Sequence, residues 1–363
     1  MTYQDDIKTV AALSLPWEKL YNSNILITGA SGLIGSCLVE VLMERQHLDY
    51  HVYALGRNDK RMEKLFQKYL SNNRFHIIIG DITKPLNSNI SFHYIIHAAS
   101  GAAPAEFVQN PVEVMMANIE GVHNLIDYGR FHEMKRFLYI SSGEVYGEGD
   151  GRIFTEDYSG YVDCTNPRSC YPSSKRAAET LCVSYALEYN VDVVIARPCH
   201  IYGPHFTEFD NRVYAQFLRN VLNGEDISMK SSGEQFRSWC YVVDCVFALL
   251  YILLKGENGQ AYNIADDNSN ITIKRLAEII AEIGGRKVVV NNPSGEERKG
   301  YNRVTKSVFS TDKIKKIGFV ATTTIEKGLY KTIRELSLSN KSTHSDNRNE
   351  FKCISEVPIT VKK

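Results

Sequence analysis

Short apolar runs rich in β-branched and aromatic residues recur at 25–28, 52–55, 75–79, 94–97, 137–140 and 191–196, with segments of helical period near 33–46, 61–70, 112–132 and 173–189. Buried strands separated by long helices pair in parallel, so this alternation predicts βαβ units. The expected fold class is α/β, a doubly wound parallel sheet with helices on both faces. After Arg197-Pro198 the period changes to a Gly/Pro/Asp-punctuated loop over 202–211, a helix near 212–223 and shorter segments to about 338. That change predicts a smaller C-terminal α/β lobe.

Between the first run and the first helix stands ILITGASGLIG, with Gly29, Gly32 and Gly35 directly after a strand and at the opening of a helix. Glycines there permit a tight turn and close approach of backbone N–H groups to a diphosphate, whose charge the helix N-terminus also favours. The expected cofactor is therefore a dinucleotide, with Gly29, Ser31, Gly32, Leu33, Ile34 and Gly35 around its phosphates. An NAD site normally ends the second strand in an acid that bonds the ribose. This chain reads ALGRND there, with Gly56 in that place, then Arg57 and, further on, Asp59. A guanidinium at Arg57 suits the 2′-phosphate of NADP and is equally an ordinary solvated arginine, so NAD and NADP both stay open. Asp81 and Ile82, after the third strand, are candidates for the adenine side.

These boundaries give an N-terminal extension over 1–22, an NAD(P)-binding Rossmann domain over 23–200 with a contribution from about 238–265, a mainly substrate-binding lobe over 201–338 and a polar tail over 339–363. The 363 residues suffice for such a core, and 42 Lys+Arg against 42 Asp+Glu disfavour a nucleic-acid partner held by net charge. No apolar run approaches the ~20 residues of a membrane span, and the acidic start is unlike a secretory signal. Eight cysteines without a C-x-x-C pair or zinc-ligand spacing predict free thiols, no metal and a cytoplasmic protein.

Tyr171 and Lys175 stand at (i, i+4) on one helix, where the ammonium lies beside the phenol and lowers a pKa otherwise near 10. SSGEVYG, residues 141–147, ends the preceding strand, where ligand-facing residues gather. With TGASGLIG, HAA at 97–99, YPSSK and RPCHIYGP at 197–204, the chain resembles the extended short-chain dehydrogenase/reductases of the NAD-dependent epimerase/dehydratase family, which modify sugar nucleotides. The likeness runs from about residue 24 to about 336. Around the Tyr and Lys, in DNRV and QF near 210–217 and in GEQFR at 233–237, it is similar to the UDP-glucuronate decarboxylases.

The resemblance implies that Tyr171 takes the proton of the sugar C4 hydroxyl, Ser142 bonds the same oxygen, and Lys175 holds the nicotinamide ribose. It implies a transient 4-keto sugar and a recycled cofactor, touched also by His97, Ala98, Ala99 and Arg197. Substrate-facing positions would be Ser142, Arg168, His200, Arg212 and Arg237. His97 equally reads as packing, and Arg212 and Arg237 as solvated surface. Dehydratases of this family carry Asp then Glu after the Thr or Ser, and decarboxylases usually Ser then Glu; here Gly143 precedes Glu144. Retention of Glu144 as a fourth catalytic residue points to chemistry at C5, so decarboxylation is the favoured reading. A 4-epimerase or 4,6-dehydratase is the alternative, and a non-catalytic NAD(P)-binding regulator a third. The expected partner is a nucleoside-diphosphate sugar, and the expected assembly a homodimer through the two long helices.

Overall fold

The computed structural model describes residues 2–45, 49–102, 104–207, 210–291 and 305–343. Helix α1 (Tyr3–Ala12) opens on a capping box between Thr2 and Asp5. Then come β1 (Ser23–Thr28), α2 (Leu33–Glu44), β2 (Tyr50–Gly56), α3 (Asp59–Leu65), β3 (Phe75–Ile79), β4 (Tyr94–His97), α4 (Pro104–Gln109), α5 (Pro111–Phe131), β5 (Arg136–Ile140), α6 (Cys170–Tyr189) and β6 (Val193–Pro198). The second half contains β7 (His200–Tyr202), α7 (Val213–Leu222), β8 (Ile227–Met229), β9 (Phe236–Tyr241), α8 (Val242–Lys255), β10 (Ala261–Ile264), β11 (Asn270–Thr272), α9 (Ile273–Gly284), β12 (Val288–Val290), β13 (Lys306–Ser307), α10 (Asp312–Lys316) and α11 (Ile325–Thr343).

Seven strands form one parallel sheet in the order β3-β2-β1-β4-β5-β6-β10. This is the doubly wound α/β fold. Its central strands carry unbroken apolar runs, Ile25–Ile27 in β1 and Phe137–Ile140 in β5, because helices cover both faces; in β4 every residue is buried. The seventh strand, β10, comes from beyond residue 238 and closes the edge beside β6. A second sheet gathers β7, β9, β11 and β13, with β8 paired to β12 beside it. Helices α5 and α6 pack together on one face, while α2 and α8 pack together elsewhere.

The first 22 residues do not stand apart from the fold. Tyr3, Ile7, Trp17 and Leu20 are buried in the same apolar cluster as α2 and α8. The Tyr3 hydroxyl donates to Glu40 of α2 at 2.5 Å, and Lys331 of α11 donates to Asp6 at 2.8 Å. His205, on the loop before α7, meets the Tyr3 ring edge-on with centroids 5.2 Å apart. Of the expected tail, the backbone of 339–343 continues α11 and the remainder lies outside the described residues. No helix among the described residues is long and apolar enough to cross a membrane.

Candidate active site

The sheet reverses its winding between β1 and β4, and open α/β sheets bind ligands where such a reversal leaves a crevice at the carboxyl ends of the strands. A cleft of about 1480 Å³ lies there, bounded by the β1–α2 turn and, opposite, by β7, β9 and the loop before α7. That exceeds the roughly 300–1,000 Å³ of a typical small-molecule site. It has room for two nucleotide-sized ligands.

Gly29 has φ +64°, and a Cβ on it would stand 2.6 Å from the backbone N and Cα of Ala99. A Cβ on Gly35 would stand 2.3 Å from the Gly29 carbonyl oxygen. The turn therefore closes only on glycine, and backbone rather than side chains borders the cleft. Ser31, Gly32, Leu33 and Ile34 line it, with Ala98 and Ala99 opposite. The first N–H groups of α2 have no partner within the helix, so this cradle fits the diphosphate of a dinucleotide. Arg57, Asp81 and Ile82 line the other end.

Tyr171, in the first turn of α6, is buried, with Phe107 of α4 stacked on its ring at 4.6 Å between centroids and 18° between planes. The lowering expected from Lys175 is not what the site shows: burial pushes the phenol up to about 12; hydrogen bonding to Ser142 opposes this, and the nearby Glu144 adds to it. One turn on, Lys175 Nζ donates to the Ile140 carbonyl at 2.9 Å and lies 5.7 Å from the Tyr171 ring centroid. Ser142 caps the turn Gly143–Tyr146, its Oγ accepting from Glu144 N at 3.2 Å. Asn118 of α5 links the cleft wall to α6, accepting from Ser100 Oγ at 2.8 Å and donating to Ser174 Oγ at 2.9 Å.

Burial also pushes the Lys175 ammonium down to about 7 from 10.5, against the pull of Glu179. Unfolded, the chain keeps this proton across that window; folded, it has lost it. Stability therefore rises with pH from about 7 towards 10.5, by up to about 1.4 kcal/mol per unit. Lys175→Met is expected to remove that slope and to raise the melting temperature at pH 7, measured from pH 7 to 9 without added dinucleotide. A lower melting temperature would mean that the Ile140 bond outweighs the cost of burying the ammonium.

Four further charged or polar side chains line the cleft around Tyr171. Arg168 donates two bonds of 3.2 Å to Glu144, one to each oxygen. Arg212 is held on Asp210 by bonds of 2.9 and 2.5 Å and also reaches the Tyr214 hydroxyl at 3.1 Å. Arg237 of β9 is buried, and burial pulls its guanidinium down to about 10 while Glu144 pulls it up. His200 opens on the cleft with its ring 5.1 Å from that of Trp239.

Two expected residues are placed elsewhere. Arg197 does not reach the cofactor cleft. Its guanidinium is turned to the inner side of α6, where it pairs with Glu179 at 3.0 and 2.6 Å and donates to Tyr146 and the Glu156 carbonyl. A half-buried Arg needs those acceptors, and all three lie away from the lining. His97 lies behind the lining, with Nδ1 2.7 Å from Thr28 Oγ1, and burial, helped by Lys175, pushes its ring down to about 3. It is neutral packing at the end of β4. Phe107 and Phe309 carry no signal in the sequence, because a lone Phe outside a motif has no pattern. Phe309 fills position 143: a Cβ on Gly143 would stand 2.1 Å from its Cζ.

Comparison with known proteins agrees with this geometry. Residues 25–265 match the family described as the NAD dependent epimerase/dehydratase family. UDP-glucuronic acid decarboxylase 6 of Arabidopsis thaliana is 34% identical over 271 residues, 73% of this chain and 76% of that protein. Among solved structures, UDP-glucose 4-epimerase of Thermotoga maritima has a TM-score of 0.75 at 25% identity, covering 88% of this chain and 99% of that one. A dTDP-glucose 4,6-dehydratase of Streptomyces venezuelae, solved with NAD bound, shares the fold with a TM-score of 0.76 at 22% identity, over 89% of this chain and 99% of its own.

Proposed function

Because the chain belongs to the NAD dependent epimerase/dehydratase family, we propose that it acts on a nucleoside-diphosphate sugar through a transient 4-keto sugar, and that its reaction is decarboxylation of UDP-glucuronate. The observation that carries the choice is position 143. A 4,6-dehydratase needs an acid there for the departing hydroxyl, and the Phe309 ring occupies that space. Glu144, the neighbouring acid, is present and clasped by Arg168.

NAD or NADP, when bound, supplies a hydride acceptor that each turnover regenerates. The chain's own part is to hold and move protons. Tyr171, whose buried phenol the positive charge of a bound nicotinamide would draw down, accepts the C4 hydroxyl proton as phenolate while Ser142 bonds the same oxygen. With a ketone at C4, the C5 carboxylate belongs to a β-keto acid, and carbon dioxide leaves as its bonding pair passes into the ketone. A proton then returns to C5, and Tyr171 gives back the proton it took. Glu144 stands two residues from Ser142, where it serves a proton transfer at C5. Arg237 and Arg212, with His200, supply donors for the diphosphate.

The test is mass spectrometry of UDP-glucuronate incubated with the purified protein and either dinucleotide. A product lighter by carbon dioxide is expected. Loss of water from another sugar nucleotide, or an isomer of unchanged mass, would transfer the reaction to dehydration or epimerisation. Gly143→Asp is expected to lose about 1–3 kcal/mol of stability by overpacking against Phe309 and to gain no dehydratase activity; a folded variant that dehydrates dTDP-glucose would remove the argument from position 143.

In the same reading the protein is a cytoplasmic homodimer. Val183 and Leu187 stand one turn apart on α6, 39% and 90% exposed, a surface suited to a second copy of the α5–α6 pair. Light scattering is expected to give twice 41.1 kDa; a monomer mass would sink this assignment. The seven free cysteines among the described residues support a reducing compartment, and a periplasmic or secreted pool in cell fractionation would overturn it.

A further inference from the structure

The adenosine end of the cleft lacks what an NAD ribose asks for. In a sheet of this topology the acceptor for the 2′-hydroxyl is a carboxylate at the end of the second strand. Here β2 ends at Gly56, and a Cβ on it would stand 2.7 Å from Sδ of the buried Met62. Asp59 is exposed in the first turn of α3 and is not part of the cleft lining. Asp81 does line the cleft, but its Oδ1 already accepts from both the backbone N and the Oγ1 of Thr83, each at 3.0 Å.

In place of an acceptor the cleft offers donors. Arg57 follows Gly56 directly, exposed and lining the cleft. A second guanidinium, that of Arg61, stands outside the lining but is fixed against the Gly-rich turn that forms part of it, donating to the Ser31 carbonyl from Nε at 3.3 Å and Nη2 at 3.0 Å. Its Nη1 takes no part in those bonds. Two guanidinia beside the turn, with no carboxylate at the end of β2 to answer a ribose hydroxyl, suit a dianion at the 2′ position better than a neutral hydroxyl.

We propose that Arg57 and Arg61 form a 2′-phosphate site and that this chain takes NADP in preference to NAD. The proposal rests on the dinucleotide reading of the Gly-rich turn. It departs from the NAD of the family's description because the ribose-binding acid is replaced here by Gly56 and Arg57.

Calorimetric titration of the whole protein with 2′,5′-ADP and with ADP isolates the adenosine end, and fluorescence titration with NADPH and NADH covers the full dinucleotides. The 2′-phosphorylated member of each pair is expected to bind at least about tenfold tighter, an energy within reach of one charge-assisted contact. Arg57→Ala should bring the two members to within about threefold by weakening only the phosphorylated one, and Arg61→Ala should act in the same direction. Because Arg57 is exposed, a melting curve matching the wild type will show the variant folded. Equal binding of NADPH and NADH, tighter NADH, or an Arg57→Ala variant that weakens both members equally would overturn the 2′-phosphate site alone. Binding of neither dinucleotide would overturn the dinucleotide reading and this proposal with it.

Discussion

Tyr171→Phe is expected to lower turnover of the sugar nucleotide by at least about 10³-fold, within the usual range for loss of a general base, while leaving the melting curve and dinucleotide affinity close to wild type. The substitution removes one oxygen and keeps the ring. The contacts that hold that ring, the stack on Phe107 and the apolar group of Val114 and Cys170, are made by carbon and sulfur and survive. The lost oxygen is the group that Ser142 and Ser100 address. Single-turnover assays by mass spectrometry of the product, with near-ultraviolet circular dichroism on the same sample, separate the two effects. The same loss is expected for decarboxylation, epimerisation and dehydration, since all begin at the C4 hydroxyl. A variant retaining full turnover would end the assignment of Tyr171 as base and leave the choice among substrates untouched.

Gly29→Ala is expected to act through the cradle rather than the chemistry. The added methyl would meet Ala99 Cα and N at 2.6 Å, and the backbone there has φ +64°. Overpacking costs about 1–3 kcal/mol and the left-handed conformation about 1 kcal/mol more for a residue with a Cβ. A loss of about 2–4 kcal/mol in denaturant unfolding is the expected sum. Relief of the clash pushes the β1–α2 turn away from β4, so the dissociation constant for dinucleotide should rise by more than about tenfold. Wild-type affinity in a folded Gly29→Ala protein would show that the phosphates are held by something other than this turn.

The sequence made some of this legible and concealed the rest for physical reasons. Features whose meaning lies within a few residues could be read directly. The glycines of the first turn and the strand runs of the parallel sheet are of this kind, and 25–28, 94–97 and 137–140 lie within strands as expected; the (i, i+4) spacing put Lys175 beside Tyr171, but burial, which no spacing reveals, raises the phenol. Features that depend on partners distant in the chain could not. The role of position 143 becomes physical only when Phe309 arrives from β13's end of the chain to fill it. Arg197 follows a family pattern, yet its direction is settled by Glu179 and by the carbonyl of Glu156. Phe107 is unremarkable in the sequence until α4 lays it on Tyr171. Residues 1–22 have no strand or motif to reveal that Tyr3 and Ile7 belong to the central core.

That opening helix works like a tie-beam across the back of the molecule. It grips α2, whose first turn borders the cleft, through Tyr3 and Glu40; it grips α11 through Asp6 and Lys331; and it touches His205, which precedes Arg212 and α7. The two walls of the cleft are thus tied together on the side away from Tyr171, by side chains that do not line it. Substitutions in α1 that break these contacts are therefore expected to lower the melting temperature while leaving the stack of Phe107 on Tyr171 in place.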